Sequence, residues 1–248
     1  MRLAGKTAIV TGGAQGFGLG IVEKFLTEGA RVMVADLNGD AAHAMAKDRG
    51  EGCAAVTCNV AALADWELLL AKTLETFGSI DILVNNAGTT HLPAAMEDIS
   101  EEDFDKVLLV NTKSIYLSGR TVVPVMKRQG GGAIVNVAST AAVSPRPRLT
   151  WYNATKGFVT TATKSMAVEL ASDNIRVNAL NPVAGETPLL KSFMGADTPE
   201  VRARFLATIP LGRFSQPEDL GNAACFLASD EASMITGVCM EVDGGRCV

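Results

Sequence analysis

Seven short runs rich in valine, isoleucine and alanine recur along this chain, and longer stretches with helical character separate them. The apolar runs cover residues 7–10, 31–35, 54–57, 80–84, 133–138, 175–180 and 238–242, and the helix candidates cover residues 17–29, 39–49, 62–77, 101–128, 151–172 and 217–228. Strands that are apolar at nearly every position and alternate with helices are typical of a parallel sheet covered on both faces. Because crossovers between parallel strands are right-handed, the pattern predicts an α/β, doubly wound, Rossmann-like fold of about seven strands.

The length fits a single domain over residues 1–248, since α/β domains of this kind often run to roughly 250 residues. A hydrophobic content of 48% is enough to bury a large core. Residues 183–210 are the one weakly patterned stretch, and they are punctuated by Gly185, Pro188, Gly195, Pro199 and Pro210. A long irregular segment beside a sheet edge often closes over a ligand, so we expect a substrate lid around residues 183–210.

Charge and composition argue against several classes of protein. The net charge is −5 and no long basic run is present, so we expect no nucleic-acid partner. No apolar stretch reaches 18 residues and no signal peptide is recognisable, so we expect a cytoplasmic protein without membrane association. The five cysteines include no Cys-x-x-Cys pair and only two histidines accompany them, so no metal site is expected.

A glycine-rich loop follows the first predicted strand and leads directly into a helix. Its spacing is Gly-x-x-x-Gly-x-Gly, and its candidate cofactor contacts are Gly12, Gln15, Gly16, Phe17 and Gly18. Glycines let the backbone approach a pyrophosphate, and the helix N-terminus supplies positive potential. The strand–loop–helix context therefore predicts a dinucleotide site here.

The second predicted strand ends in Asp36, followed by Leu37 and Asn38 rather than by a basic residue. A carboxylate at this place accepts hydrogen bonds from the adenosine ribose and repels a 2′-phosphate. The alternative is an ordinary aspartate in a turn after a strand. The sequence favours NAD over NADP, with Asp36 and Leu37 as contacts.

Three residues around the fifth strand form a candidate catalytic group. Ser139 ends that strand, Tyr152 follows thirteen residues later, and Lys156 lies four residues further on a predicted helix. An i, i+4 pair shares one helix face, and an ammonium near a phenol lowers the phenol pKa. The pattern predicts that Tyr152 is a general acid/base and that Ser139 holds the substrate oxygen.

Asn111 interrupts the apolar run 107–110 in a predicted helix. A buried amide needs hydrogen-bond partners, so Asn111 is expected to bend the helix or to hold a water near Lys156. The sequence leaves a structural and a catalytic role equally open.

Together these motifs resemble the short-chain dehydrogenase/reductase family over essentially the whole chain. The resemblance implies that Tyr152 is the acid/base, that Ser139 positions the substrate oxygen, and that Lys156 binds the nicotinamide ribose while lowering the Tyr152 pKa. It also implies that Asn111 supports a water that relays the proton outward. Helices 101–128 and 151–172 and the C-terminus would pack against neighbouring subunits, which implies a homotetramer with D₂ symmetry.

The resemblance extends to further cofactor contacts and includes two departures. Residues 85–88 read Asn-Asn-Ala-Gly and look like the family's adenine-side motif, which implicates Asn86, Ala87 and Gly88. Asn59-Val60 stands where the family usually has Asp-Val against adenine, and Pro182-Val183 stands where it usually has Pro-Gly. Gly185 and Thr187 still fall where the family contacts the nicotinamide carboxamide.

We therefore expect an oxidoreductase that transfers a hydride between NAD(H) and a secondary alcohol or ketone. One alternative is an NADP-dependent reductase of 3-oxoacyl thioesters, against which Asp36 argues. Another is a catalytically silent NAD-binding protein, although such proteins usually lose the tyrosine or the lysine. An epimerase or dehydratase is disfavoured, because those generally have longer chains with an added substrate domain.

The loop between Ser139 and Tyr152 borders the predicted reaction centre and reads Pro-Arg-Pro-Arg over residues 145–148. Arginine presents a fixed charge and a planar fork suited to a carboxylate or phosphate. An anionic substrate group is therefore one possibility, with Arg146, Arg148 and His91 as candidate contacts. The alternative is that both arginines face water or another subunit.

Overall fold

Seven parallel strands form one sheet at the centre of the protein, in a computed structural model that describes residues 1–248. The strands are β1 Thr7–Thr11, β2 Arg31–Asp36, β3 Cys53–Thr57, β4 Ile82–Asn85, β5 Gly132–Val137, β6 Ile175–Pro182 and β7 Cys239–Val242. Their order is β3-β2-β1-β4-β5-β6-β7, and every neighbouring pair is parallel. The predicted Rossmann-like fold is confirmed.

Nine α-helices accompany the sheet: α1 Gly16–Thr27, α2 Gly39–Arg49, α3 Leu63–Phe77, α4 Glu101–Leu108, α5 Ser114–Gln129, α6 Thr150–Leu170, α7 Leu190–Met194, α8 Pro199–Leu206 and α9 Pro217–Ala228. The helix predicted over residues 101–128 is present but interrupted, because a π turn at Leu109–Lys113 separates α4 from α5. No helix combines the length and the apolar character needed to cross a membrane.

The topology creates a crevice beside β1. From β1 the chain moves outward through β2 and β3, and it then returns to β4 on the other side of β1. Connections on the two sides of such a switch point leave in opposite directions and open a cleft at the carboxyl ends of the strands. The glycine loop after β1 and the segment after β4 therefore meet at one edge of the sheet.

Two apolar layers hold the helices against the sheet. Helices α1, α2 and α9 pack on one face, and helices α3, α5 and α6 pack on the other. On the first face α1 and α9 approach to backbone contact. A Cβ on Gly20 would collide with the Pro217 carbonyl oxygen, and a Cβ on Gly221 would lie 2.5 Å from the Gly20 carbonyl oxygen. This close contact fixes α1, and with it the position of the glycine loop at its N-terminus.

The weakly patterned stretch 183–210 contains the short helices α7 and α8. Val183 is buried with Leu190, Met194, Ile209 and Phe214 in a small apolar cluster of its own. The Val183 amide also donates to the Val242 carbonyl oxygen at 3.2 Å. The valine that departs from the family pattern thus anchors the segment to the end of the sheet. Movement of this segment as a lid stays a prediction.

Candidate active site

A cavity of 520 Å³ opens at the carboxyl ends of the strands. The predicted site residues that line it are Gly12, Gln15, Gly16, Phe17, Gly18, Asp36, Leu37, Asn59, Val60, Asn86, Ala87, Gly88, Ser139, Tyr152, Lys156, Pro182, Gly185 and Thr187. Of the predicted catalytic and cofactor-binding residues, only Asn111 lies outside the lining.

The glycine loop takes a form that side chains would disrupt. Gly12 and Gly16 have φ angles of +61° and +56°, in the left-handed region where glycine is favoured. A Cβ on Gly18 would collide with the Gly12 carbonyl oxygen and lie 2.5 Å from the Asn86 amide nitrogen. The loop is therefore folded tightly, with its backbone at the cavity wall.

Asn86 joins the ends of β1 and β4. Its side-chain amide donates to the Thr11 carbonyl oxygen at 2.8 Å and to the Gly12 carbonyl oxygen at 3.0 Å. The Thr11 hydroxyl in turn accepts from the Asn86 and Ala87 backbone amides, both at 3.0 Å. The Asn86 side chain thus stabilises the crevice, and the small residues that follow it form the cavity wall.

The Asp36 carboxylate is held in place by backbone donors. One oxygen accepts from the Asn38 amide at 2.9 Å and the other accepts from the Ala14 amide at 3.0 Å. The side chain is half-buried at the cavity edge. The cationic residues of the lining are Lys106, Arg146 and Lys156, and none belongs to the turn after β2. This end of the cavity is negative.

Asn59 replaces the family's usual aspartate without loss of the local turn. Its side-chain oxygen accepts from the Ala61 amide at 3.0 Å, and its backbone amide donates to Asp65 at 2.7 Å. The following residue, Val60, is buried, and its carbonyl oxygen accepts from the Trp66 indole at 2.9 Å. An asparagine oxygen forms such a turn as an aspartate oxygen does.

Tyr152 and Lys156 lie side by side on α6, and both are buried. The Lys156 ammonium donates to the Val137 carbonyl oxygen at 2.9 Å. Ser139 follows the same strand, β5, and its hydroxyl accepts from the Ala141 amide at 3.1 Å. One strand end and one helix face thus bring the phenol, ammonium and hydroxyl into the same cavity.

Burial dominates the ionisation of this pair. It raises the pKa of Tyr152 from 10.0 to about 12, with the Ser139 hydroxyl opposing the shift. It lowers the pKa of Lys156 from 10.5 to about 8. The sequence predicted a lowered phenol pKa, and this prediction is wrong for the protein chain alone. Desolvation penalises the phenolate more than its neighbours stabilise it. The phenol keeps its proton at neutral pH.

Asn111 lies in the π turn, behind the cavity wall. Its side-chain oxygen accepts from the Thr89 amide at 2.9 Å, and its amide donates to the Thr89 carbonyl oxygen at 2.9 Å and to the Thr155 hydroxyl at 3.0 Å. Gly88 lies between this amide and Lys156, because a Cβ there would be 3.4 Å from both side chains. The helix is irregular here, as Asn111 suggested, and the side chain connects the segment after β4 to α6.

The segment after β6 contacts the glycine loop directly. A Cβ on Gly185 would collide with the Phe17 ring, and a Cβ on Gly16 would lie 3.2 Å from the Thr187 Cβ. Gly185 also forms a parallel bridge with Ser215. Thr187 is thereby placed at the cavity wall beside the glycine loop.

Only one of the three candidate anion contacts lies at the cavity. Arg146 lines the cavity, whereas Arg148 and His91 do not. His91 is buried, and its Nδ1 is 2.8 Å from the Leu92 carbonyl oxygen. The suggestions that Arg148 and His91 reach the pocket are therefore wrong.

Several lining residues were missed by the sequence reasoning, among them Leu149, Asn153, Phe193 and Phe205. The two phenylalanines come from α7 and α8, and the Phe193 ring packs edge-on against Tyr152 at a centroid distance of 5.0 Å. Nothing in the weak pattern of residues 183–210 distinguishes them from ordinary core residues.

Comparison with known proteins also indicates an oxidoreductase. A family model described as enoyl-(acyl carrier protein) reductase matches residues 12–246. The 4-formylbenzenesulfonate dehydrogenase of Comamonas testosteroni is 46% identical over 250 residues, which cover 99% of each chain. This chain belongs to the short-chain dehydrogenase/reductase family.

Further members of the family resemble the chain over its whole length. The 3-oxoacyl-[acyl-carrier-protein] reductase of Thermotoga maritima is 39% identical over 253 residues, with both chains fully covered. The crystal structure of a 3-ketoacyl-(acyl-carrier-protein) reductase from Brucella melitensis, complexed with NADH, superposes with a TM-score of 0.94 at 46% identity. It covers 99% of this chain and 100% of that one. The protein is thus an oxidoreductase of a family that binds a nicotinamide cofactor.

Proposed function

We propose that this short-chain dehydrogenase/reductase transfers a hydride between NAD(H) and a secondary alcohol or ketone. The observation that carries the proposal is the burial of Tyr152 and Lys156 in the same cavity as the glycine loop. A proton donor and a dinucleotide cradle at one site are what a dehydrogenase needs.

The residues present fit a nicotinamide dinucleotide. Gly12, Gly16 and Gly18 form a cradle that side chains would fill, at the N-terminus of α1. Asp36 and Asn59 would hold the adenosine end, and Lys156 and Thr187 the nicotinamide end. When bound, the nicotinamide supplies or accepts the hydride.

NAD is favoured over NADP because Asp36 presents a carboxylate where a 2′-phosphate would lie. Both of its oxygens already accept backbone hydrogen bonds, so the side chain is held in place. The similar reductase from Brucella melitensis is complexed with NADH, which agrees with this preference.

The chain's own residues divide the chemistry among them. Tyr152 would donate a proton to the ketone oxygen, or accept the alcohol proton, and Ser139 would hold the same oxygen by a hydrogen bond. Lys156 would stabilise the phenolate, which forms when Tyr152 gives its proton to the ketone and which accepts the alcohol proton in the reverse reaction. Asn111 lies outside the cavity lining, and it would position the segment after β4.

A second candidate function is NADP-dependent reduction of a 3-oxoacyl thioester. It is favoured by two relatives that are named as 3-oxoacyl or 3-ketoacyl reductases. The Asp36 carboxylate argues against the cofactor half of this candidate. A silent NAD-binding role is disfavoured because the phenol and the ammonium are both present and both face the cavity.

We further propose that the protein assembles as a homotetramer. Leu109 and Tyr116 are exposed around the π turn and α5, and Phe158 and Val168 are exposed on α6. Exposed large apolar side chains on two helices are what a surface covered by another copy would present.

The test of the reaction is a panel of secondary alcohols, polyols and hydroxy acids with NAD⁺ and with NADP⁺, and of 3-oxoacyl thioesters with NADH and with NADPH, followed by absorbance of the reduced cofactor. We expect turnover with NAD⁺ for at least one class of alcohol. Turnover confined to NADPH and 3-oxoacyl thioesters would instead support the second candidate. Absence of turnover with every substrate and both cofactors would support the silent binding role.

A further inference from the structure

Arg146 brings an unpaired guanidinium to the active-site cavity. Its Nη2 atom is buried and has no hydrogen-bond partner, and no carboxylate forms an ion pair with it. Buried charges in folded proteins are normally paired, because an isolated charge away from water is costly. An unpaired cation in a cavity is therefore a candidate ligand contact.

The surrounding residues hold this guanidinium in place. Its Cζ atom lies 4.2 Å from the centroid of the Phe205 ring, on α8. The Asn153 side-chain amide donates to the Arg146 carbonyl oxygen at 2.8 Å, which fixes the backbone next to the predicted acid/base. The aromatic ring and the fixed backbone restrict the conformations of this guanidinium before any ligand binds. Ligand binding therefore costs less conformational entropy than it would for a mobile side chain.

The local charge is positive. Burial lowers the pKa of Arg146 to about 10, the charge of Arg246 adds to this shift, and Cys247 opposes it weakly. Arg246 donates to the Ser144 hydroxyl at 3.1 Å rather than to a carboxylate. The side-chain oxygen of Asn153, another lining residue, is uncharged and also lacks a partner. Arg146 stays protonated at neutral pH, and no acid of the chain neutralises it.

Apolar side chains surround Tyr152 in this cavity. Leu149 and Phe193 line the cavity, and the Phe193 ring packs against the Tyr152 ring at a centroid distance of 5.0 Å. A ligand that reached both the phenol and the guanidinium would have an apolar or aromatic middle.

We propose that Arg146 binds the anionic group of the substrate, a carboxylate or a sulfonate, while the reacting hydroxyl or carbonyl lies at Tyr152 and Ser139. The inference rests on the proposed function, since it takes this cavity to be a dehydrogenase site. The planar guanidinium matches a carboxylate or sulfonate through paired, charge-assisted hydrogen bonds. The substrate class is then an anionic alcohol or ketone with an apolar spacer.

The experiment measures binding and turnover with matched ligands. Two spacer lengths are used, namely 3-hydroxybutanoate and 4-(1-hydroxyethyl)benzoate, each beside its methyl ester, together with 4-(1-hydroxyethyl)benzenesulfonate. Each is titrated by calorimetry into the enzyme with NADH bound, and each is assayed with NAD⁺. The variants are Arg146→Gln and Arg146→Lys, and the control is Arg148→Gln, which removes an exposed arginine outside the cavity.

At least one acid should bind more tightly than its ester. Arg146→Gln should weaken the binding of that acid by about 10-fold or more and leave the binding of its ester unchanged. The reason is that a charge-assisted hydrogen bond contributes about 1.5–3 kcal/mol. Arg146→Lys should keep part of the preference, because it keeps the charge and loses the planar fork. Arg148→Gln should match the unmodified enzyme. The benzoate and sulfonate arms distinguish the two anion types.

The proposal is overturned if no acid binds more tightly than its ester, or if Arg146→Gln leaves the preference intact. It is also overturned if Arg148→Gln removes the preference as fully as Arg146→Gln does. Should Arg146→Gln not fold, an unchanged acid-to-ester ratio in Arg146→Lys is the contradicting result. Failure of the reaction is separate, because the titrations report anion binding whether or not any alcohol is oxidised.

Discussion

The Lys156 ammonium lies 5.8 Å from the centroid of the Tyr152 ring and donates its hydrogen bond to the Val137 carbonyl oxygen. The lysine therefore acts on the tyrosine through space rather than through a direct contact. Burial raises the phenol pKa to about 12 and lowers the ammonium pKa to about 8, so each group is driven toward its neutral form. A positive nicotinamide nearby would oppose the first shift, because an adjacent cation stabilises phenolate.

Replacement of the phenol tests the acid/base role. Tyr152→Phe should reduce kcat by about 10²–10⁴-fold, because it removes the proton-transferring oxygen and keeps the ring. Cofactor affinity, measured by NADH fluorescence, should change little. The matched control is Tyr116→Phe, since Tyr116 is the other tyrosine of the chain and is exposed on α5. If Tyr152→Phe keeps more than about half its turnover, another residue transfers the proton.

The buried ammonium predicts a pH-dependent stability. Between about pH 8 and pH 10.5 the unfolded chain binds a proton at Lys156 that the folded protein has released. Folding stability from this group therefore rises with pH in that window, and the cost of the buried charge is fully present below about pH 8. Lys156→Met should raise the Tm at pH 7, and the advantage over the unmodified protein should shrink toward pH 10.5. A Tm difference that is constant with pH would contradict the assignment.

Asp36 is expected to set the choice of cofactor. Asp36→Ala should reduce the ratio of kcat/KM for NAD to that for NADP, because the repulsion of a 2′-phosphate and the ribose hydrogen bonds are both removed. Asp40→Ala is the control, since this exposed carboxylate lies nearby in the first turn of α2 and outside the cavity. An unmodified enzyme with equal or greater preference for NADP would refute the role of Asp36.

The contact between α1 and α9 predicts a large difference between two glycine substitutions. Gly20→Ala should destabilise the protein by about 1–3 kcal/mol, because its Cβ would collide with the Pro217 carbonyl oxygen. Gly157→Ala lies in α6, where a Cβ would meet nothing within 4 Å, and it should stabilise the helix by about 0.5–1 kcal/mol. Denaturant unfolding of both variants measures the contrast. Equal effects would mean that the helices separate easily at this contact.

The sequence predicted the parts of this protein that depend on local pattern. Strand β1, the glycine loop and α1 follow from an apolar run, glycine spacing and helical periodicity, and the meeting of Asp36 with the loop follows from parallel topology. The direction of the Tyr152 pKa could not be predicted, because it depends on how many atoms from distant segments bury the phenol. Arg146 and Arg148 are two residues apart in a loop without regular periodicity, so their side chains gave no sign of which one enters the cavity.

The exposed apolar side chains on α5 and α6 predict that assembly depends on those faces. Phe158→Lys should reduce the mass of the particle in light scattering at micromolar concentration, because a charge on α6 would have to be buried against the neighbouring copy. Phe158 is 46% exposed in the single chain, so the substitution should cost little in the fold itself. Leu68→Lys is the matched control, because Leu68 is 50% exposed on α3, which is not one of the two helices expected at the interface, and it should leave the mass unchanged. A tetrameric mass for the unmodified protein, together with a smaller mass for Phe158→Lys alone, is the expected result.

A monomeric mass for the unmodified protein would refute the tetramer. A tetramer that Phe158→Lys does not alter would place the interface on other faces.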